Sequence, residues 1–266
     1  MSALAPNLTA DLAPESPQAT PAQASQSAII FPPGDLYSDE PPLETDLHRD
    51  QIDLLIRLLK SFWSARQDFY ASGNLTIYYS PNQLKSEDVR GPDFFVVLDA
   101  ERKPRKSWAI WEEGGKYPNL IVELLSESTA KIDRGLKKQI YQDIFRTPDY
   151  FWFDPHSLEF EGFHLVDGTY QPIPLTEQGW RWSQQLGLYL GIHQGQLRFF
   201  TPEGELVASP EESAETERQR ADAEQQRADA ERQRADAEQQ RADAEQQCNQ
   251  TLRAKLRALG IDPDTV

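Results

Sequence analysis

Hydrophobic residues in the middle of the chain recur at two spacings, and each spacing predicts a different element. Between residues 46 and 66 the apolar positions are three or four residues apart, which places them on one face of an amphipathic helix. The residues on this face are Ile52, Leu55, Ile56, Leu59 and Trp63. The helix therefore has one side suited to packing against a core.

Short apolar runs bounded by turn residues predict strands. The run 68–80 predicts a strand with a bend or bulge at Gly73-Asn74, and 119–126, apolar on both faces, predicts a central strand. Asp167-Gly168 is a hairpin turn signal. The other predicted strands are 93–99, 149–155 and the two strands of each hairpin at 159–174 and 197–208.

A second helix is predicted over 130–146, with Ser128 or Thr129 as its candidate N-cap. Its expected buried stripe consists of Leu136, Ile140 and Ile144. Strands and helices mix without strict alternation, so the predicted class is α/β with a mixed sheet.

Composition divides the chain into four segments. Residues 1–44 contain eight prolines and no Lys or Arg, which predicts a disordered arm, with an acidic docking arm as the alternative. Residues 45–208 are predicted to be the folded domain, 209–260 a helical extension and 261–266 a short tail.

The extension repeats RADAEQQ with a period of seven, beginning at Arg220, Arg227, Arg234 and Arg241. A seven-residue repeat of strong helix formers predicts a long helix and favours a coiled coil joining two copies. Its apolar residues are alanines two residues apart, which is not a regular coiled-coil seam, so a solvated single helix remains the alternative. Gly260 is expected to end the helix.

Charge and composition narrow the class further. The formal net charge is −16, but residues 46–200 carry 18 basic and 21 acidic side chains, so this part is only −3 and a nucleic-acid partner is not excluded. Cys248 is alone, no secretory signal pattern is present, and no apolar run is long enough to span a bilayer. We expect a soluble, cytoplasmic protein.

Glu123 interrupts the apolar run of the predicted central strand, and a buried charge there is costly unless it is paired. Asp93 begins the preceding strand, and Asp133, Lys137 and Tyr141 form one polar stripe on the following helix. Paired carboxylates hold Mg²⁺ or Mn²⁺, and a lysine beside them can stabilise charge on a phosphoryl group. The pattern is therefore suited to phosphodiester hydrolysis.

The same residues also allow structural interpretations. Glu123 can be paired with a buried Lys or Arg, and Asp93 can be a turn or capping residue after Pro92. Lys137 can be solvated, and Asp133 can complement the helix dipole. Spacing alone does not separate these interpretations from a metal site.

Five motifs occur in an order that resembles the Uma family, bacterial proteins with a restriction-endonuclease-like fold within the PD-(D/E)xK nuclease superfamily. The motifs are Gly91-Pro92-Asp93, Ile121-Val122-Glu123-Leu124-Leu125-Ser126, Ser128-Thr129, Asp133…Lys137…Tyr141 and Tyr150-Phe151-Trp152-Phe153-Asp154-Pro155. The resemblance covers about 45–200, and the helical tail ending in LRALGIDPD is similar to extensions in some members.

The resemblance implies a mixed sheet flanked by helices, with Asp93 and Glu123 as ligands of Mg²⁺ or Mn²⁺. In the superfamily pattern the lysine lies two residues after the acid, but that position here is Leu125. Lys137 on the following helix is therefore the candidate catalytic lysine. The resemblance makes Asp133 and Tyr141 supporting residues around it, and Ser126 a residue that positions the helix start.

One basic cluster, in the sequence ERKPRKSW, is a candidate nucleic-acid contact because Trp108 and Trp111 lie close to it in the chain. A solvated loop with buried tryptophans is the alternative. The cluster consists of Arg102, Lys103, Arg105 and Lys106.

Two functions follow as hypotheses. The first is a metal-dependent endonuclease, a hydrolase acting on DNA by metal-activated water, with association of two copies through the tail. The second is a catalytically weak or inactive nuclease-fold scaffold that assembles through its helical tail. Double-stranded DNA, single-stranded DNA and RNA all remain open as substrates.

Overall fold

The computed structural model describes residues 36–38, 45–80, 89–126, 130–260 and 262. Most of the predicted N-terminal arm, the N-cap candidates Ser128 and Thr129, and all of the predicted tail except residue 262 lie outside these residues. Within the predicted arm, residues 36–38 contact the domain: the amide of Ser38 donates to the Lys106 carbonyl at 3.0 Å.

The described elements agree with most of the predicted ones. The helices are α1 (Asp46–Phe62), α2 (Ala130–Ile132), a π-helical turn (Asp133–Lys137), α3 (Lys138–Asp143) and α4 (Pro210–Ala258). The first strands are β1 (Phe69–Ser72), β2 (Ile77–Tyr78), β3 (Val89–Arg90), β4 (Phe94–Leu98), β5 (Trp108–Ala109) and β6 (Leu120–Leu124). They are followed by β7 (Asp149–Phe153), β8 (Phe160–Val166), β9 (Thr169–Pro172), β10 (Arg181–Ser183), β11 (Leu188–His193) and β12 (Gln196–Phe200).

The main sheet has six strands in the order β1-β4-β6-β7-β8-β9. The pair β6–β7 is parallel and the other pairs are antiparallel, so the sheet is mixed as predicted. The strand β6 lies inside the sheet and all five of its residues are buried, which confirms the prediction of a central strand. The hairpin β8–β9 turns at Asp167-Gly168, both at positive φ.

Each face of this sheet has its own hydrophobic core. The helix α1 packs on one face, where Leu55, Leu58 and Leu59 are fully buried. The other face is covered by the helical segment 130–143 and is rich in aromatic side chains, including Tyr141 and Tyr150. The site described below lies within this aromatic layer.

The prediction for the buried stripe of the second helix was wrong. Leu136 and Ile144 are 56% and 47% exposed, and of the three predicted residues only Ile140 is buried. Asp133 and Tyr141 face the sheet instead. The π-helical turn, with i→i+5 hydrogen bonding, changes the direction of the side chains relative to a regular helix.

Two strand predictions also need correction. The run 68–80 forms β1 and β2, which belong to different sheets, because the chain turns at Gly73-Asn74. The predicted hairpin 197–208 has a single bridge, between Phe200 and Leu206. The regular partner of β12 is β11, in a three-stranded sheet with β10 that the sequence pattern did not predict.

The predicted C-terminal helix is confirmed as α4, which spans 49 residues or about 74 Å. Ser209 and Glu212 form a capping box at its start. Glu212 also accepts hydrogen bonds from the buried Arg198 of β12 at 2.7 and 3.0 Å. The first turn of α4 is thus fixed to the domain, and the side chains beyond it are almost all exposed.

Candidate active site

Antiparallel pairing of β4 and β6 brings the two predicted carboxylates together. Phe94 is paired with Val122, so Asp93, one residue before β4, lies beside Glu123 in the middle of β6. The amide of Asp93 donates to Glu123 Oε2 at 3.4 Å. Asp93 Oδ2 accepts from the amide of Leu124 at 2.7 Å, which holds this carboxylate against the strand.

Glu123 is completely buried, and both of its oxygens have partners. Tyr141 donates its hydroxyl hydrogen to Oε1 at 2.6 Å. Lys137 Nζ donates to Oε2 at 3.2 Å. The structure therefore brings the predicted acid, lysine and tyrosine into direct contact.

The π-helical turn places Asp133 and Lys137 on the side facing Glu123. Lys137 Nζ lies 2.8 Å from Asp133 Oδ1, so the ammonium contacts two carboxylates. Tyr150 on β7 donates to the carbonyl of Asp133 at 2.9 Å and fixes the turn to the sheet. The sequence analysis placed Tyr150 in a family motif but gave it no role at the site.

Burial and charge act against each other on these groups. Burial raises the pKa of Glu123 to about 7, the Lys137 charge opposes this rise, and the neighbouring Asp93 adds to it. Burial also raises the pKa of Asp93. Both carboxyl groups therefore keep their protons to a higher pH than an exposed carboxyl group does, and they titrate as a coupled pair.

Lys137 remains charged throughout the physiological range. Burial lowers its pKa, but the carboxylates of Glu123, Asp133 and Asp93 outweigh burial and raise the pKa above its ordinary value. Burial and the Glu123 charge raise the pKa of Tyr141 well above 10.0, so its hydroxyl is a hydrogen-bond donor and not a base. Lys137 can therefore stabilise negative charge but cannot accept a proton at neutral pH.

The residues fit a small divalent cation in donor type. Mg²⁺ is bound by one or two carboxylates and keeps several waters, and Asp93 and Glu123 supply two carboxylates side by side. Among the described residues, no cluster of three or more His, Cys, Asp or Glu side chains forms a complete metal cage.

The other predicted residues lie at different distances from this centre. Ser126 follows β6, and its carbonyl accepts from the amide of Ala130 at 3.0 Å, at the start of the helical segment. Arg105 is 5% exposed and pairs with Glu113 at 2.5 Å, so its charge is already engaged. Arg102, Lys103 and Lys106 are exposed on the loop after β4.

A mixed sheet with helices on its faces, and with two acids and a lysine converging at the start of β4, defines a restriction-endonuclease-like domain. The chain belongs to the Uma2 family, described as "Putative restriction endonuclease", whose model matches residues 15–199. This match begins inside the segment predicted as an arm. It confirms the family resemblance read from the motifs.

Two further comparisons complete this result. Among solved structures, a putative nuclease belonging to DUF820 from Anabaena variabilis ATCC 29413 is similar at 12% identity and a TM-score of 0.40, over 55% of this chain and 76% of its own. No curated protein matches. Within the described residues, the helices are too short or too polar to cross a bilayer.

Proposed function

We propose that the protein is a metal-dependent endonuclease that hydrolyses phosphodiester bonds in DNA. Family membership supports a nuclease, and the observation that carries the proposal is the convergence of Asp93, Glu123 and Lys137. These side chains come from three separate elements: the start of β4, the strand β6 and the π-helical turn. Their contact is costly in a buried site and has a use in phosphoryl chemistry.

Asp93 and Glu123 would hold Mg²⁺ or Mn²⁺. When bound, such an ion lowers the pKa of water and offsets charge on a phosphoryl oxygen. Loading the site requires Glu123 to be ionised, and burial opposes this by raising its pKa to about 7. Tyr141 keeps Glu123 oriented by donating to Oε1 at 2.6 Å.

In the reaction, the oxygen of a water molecule forms the new bond to phosphorus. The bond from phosphorus to the leaving sugar oxygen breaks, and its electron pair stays on that oxygen, which then takes a proton from solvent. The attacking water gives its proton to a carboxylate of the site or to solvent. Lys137 donates hydrogen bonds to the phosphoryl oxygens as their charge grows, since its raised pKa keeps it protonated.

The test is cleavage of labelled double-stranded DNA, single-stranded DNA and RNA with Mg²⁺ or Mn²⁺. The protein is compared with its Glu123→Gln and Lys137→Ala variants. Lys138→Ala is the matched control, because Lys138 is adjacent in the chain but lies over the ring of Phe163 at 3.4 Å. We expect metal-dependent cleavage that is lost in the first two variants and retained in the control.

Equal cleavage by all variants would indicate a contaminating nuclease and would overturn the assignment. Cleavage of RNA but not of either DNA would correct the substrate. If Lys137→Ala fails to fold, as judged by its melting temperature, Lys137→Arg tests the same role, because it keeps the charge and changes only its shape.

A specific contact favours a second candidate, a nuclease-fold scaffold without catalysis. Both oxygens of Glu123 already have protein partners, Tyr141 and Lys137, so the acid is satisfied without a metal. A melting temperature that does not change with Mg²⁺ or Mn²⁺ would support the scaffold, since an ion bound to the native state stabilises it.

For both candidate functions, nuclease and scaffold, we propose that two copies associate through α4. Four seven-residue repeats lie on this helix, and its side chains are exposed. Leu252 and Leu259 near its end are 56% and 75% exposed. Sedimentation of the full chain and of a chain without 209–266 tests this association. An identical monomer mass for both would contradict it.

A further inference from the structure

A groove of about 400 Å³ follows the outer edge of β1, the first strand of the six-stranded sheet. In the part of the chain that the structure describes, no strand pairs with this edge. Lys60, in the last turn of α1, forms one wall, and the loop 102–105 forms the other. Phe69–Ser72 form the floor, so an extended ligand could lie along the strand.

Two positive side chains meet in this groove. Burial, and after it the positive charge of Arg102, lowers the pKa of Lys60. In the described residues, neither of these two side chains has an acidic group within 4.0 Å. Arg102 also lies over the ring of Phe69 at 5.4 Å, which limits its freedom to turn away. The charge of Asp53 acts on Lys60 in the opposite direction but has a smaller effect than burial and Arg102, so a bound anion would still reduce the repulsion between the two cations.

The neighbouring charges differ from this pair. Lys103 is matched by Glu101 at 2.9 Å, and Arg105 by Glu113. The loop therefore contributes one uncompensated cation, Arg102, and α1 contributes the other. Arg102, a member of the basic cluster read from the sequence, is joined in the groove by Lys60 from a different part of the chain.

The groove leads toward the candidate active site. Ser72 at its far end is paired with Phe95, two residues after Asp93. The amide of Asn74, just beyond β1, donates to the carbonyl of Asp93 at 3.2 Å. From Phe69 to Ser72 the strand rises about 10 Å, which is long enough for two successive phosphates of an extended nucleic-acid strand.

We propose that this groove binds the phosphate backbone of a nucleic-acid strand, with Lys60 and Arg102 contacting the phosphates. The strand runs along the edge of β1 toward Asp93. The inference rests on the proposed nuclease function and adds to it a substrate-positioning site. Because residues 46–200 carry 18 basic and 21 acidic side chains, a local pair of cations favours the approach of a polyanion to this part of the domain.

The test measures binding of labelled single-stranded and duplex DNA by the full chain carrying Glu123→Gln, without metal, so that cleavage does not interfere. Affinity is followed by fluorescence anisotropy between about 50 and 200 mM salt. Arg102→Gln and Lys60→Gln are compared with Arg232→Gln, which also removes one positive charge. That control makes the second heptad repeat identical to the other three and lies far from the groove in the chain.

Each lost phosphate contact should reduce the slope of log affinity against log salt by about 0.7 for a single strand and 0.9 for a duplex. We expect this change for Arg102→Gln and Lys60→Gln and no change for the control. An unchanged slope in both groove variants, with normal melting temperatures, would overturn the groove while leaving the nuclease assignment intact. No nucleic-acid binding by any protein, even at low salt, would overturn both.

Two other ligands, poly-glutamate and inorganic phosphate, test whether the groove binds an anion other than nucleic acid. If poly-glutamate binding depends on Lys60 and Arg102 and DNA binding does not, the groove is a site for an acidic protein and the proposal is wrong. If inorganic phosphate raises the melting temperature of the parent chain but not of Arg102→Gln, while the DNA slope is unchanged, the groove holds only small anions and the proposal is again wrong.

Discussion

Replacing Glu123 with glutamine should change how stability depends on pH. In the folded protein Glu123 keeps its proton up to a pKa of about 7, whereas its ordinary value is 4.5. Between these values the folded state binds a proton that the unfolded state has lost, so stability of the parent protein falls as pH rises. Glutamine stays neutral and lacks this loss.

The size of the effect follows from the two pKa values. Each unit corresponds to 1.36 kcal/mol, so the difference between 4.5 and about 7 amounts to about 3 kcal/mol. The free energy of unfolding of Glu123→Gln minus that of the parent protein should therefore increase by about 3 kcal/mol from pH 4.5 to pH 7.5. Any constant cost of the amide, such as a weaker contact with Lys137, cancels in this difference.

Urea unfolding followed by tryptophan fluorescence measures this difference in the free energy of unfolding, since all six tryptophans lie between residues 63 and 182. Glu212→Gln serves as the control with the opposite sign, because its hydrogen bond with Arg198 lowers the pKa of Glu212. The parent protein should gain stability over that variant as pH rises out of the acid range. A difference between Glu123→Gln and the parent that stays constant across the window would refute the raised pKa of Glu123.

Three further predictions test the supporting structure. Tyr141→Phe removes the 2.6 Å hydrogen bond to the buried carboxyl group and should cost about 1–3 kcal/mol in urea unfolding; an unchanged midpoint would show that the contact is replaced. Gly73→Ala would place a Cβ 2.2 Å from a backbone oxygen at the start of β4, so we expect a lower melting temperature and loss of any Mg²⁺-dependent stabilisation. The Cβ of Gly135→Ala meets no atom within 4 Å, so this variant should keep the melting temperature and the Mg²⁺ response of the parent protein. Removing 209–266 leaves the buried Arg198 without its carboxylate and should lower the free energy of unfolding by about 1–3 kcal/mol, since the Glu212 side chain is 46% exposed and solvent screens the pair. A chain ending after the first three turns of α4 should keep its stability, and equal stability of the two shortened chains would contradict this role.

The supporting contacts also explain why the candidate site tolerates so much buried charge. Glu123, Asp133 and Lys137 are linked within 3.2 Å, and Tyr141 of the aromatic layer donates a further hydrogen bond to Glu123. An ion pair of this kind is weak support for stability on its own, because desolvation offsets much of its attraction.

The sequence by itself determined the main outline. Periodicity predicted α1, the central strand β6 and the long helix α4, since a buried face or a repeated heptad leaves a regular spacing. A single acid in an apolar strand was enough to indicate Glu123, because a buried charge needs a partner. The order of the motifs was enough to indicate the family, which the match over 15–199 confirms.

Only the tertiary structure decided which side of the second helix faces the sheet. A regular 3.6-residue period placed Leu136 and Ile144 inside, but the π-helical turn and the attraction of Lys137 for two carboxylates reversed this. The groove beside β1 could not be predicted from the sequence either. Lys60 and Arg102 are 42 positions apart in the chain, and they line one groove only because of how α1 packs on the sheet. Periodicity reports one element at a time, whereas contacts between charges distant in the chain form only when the elements pack together.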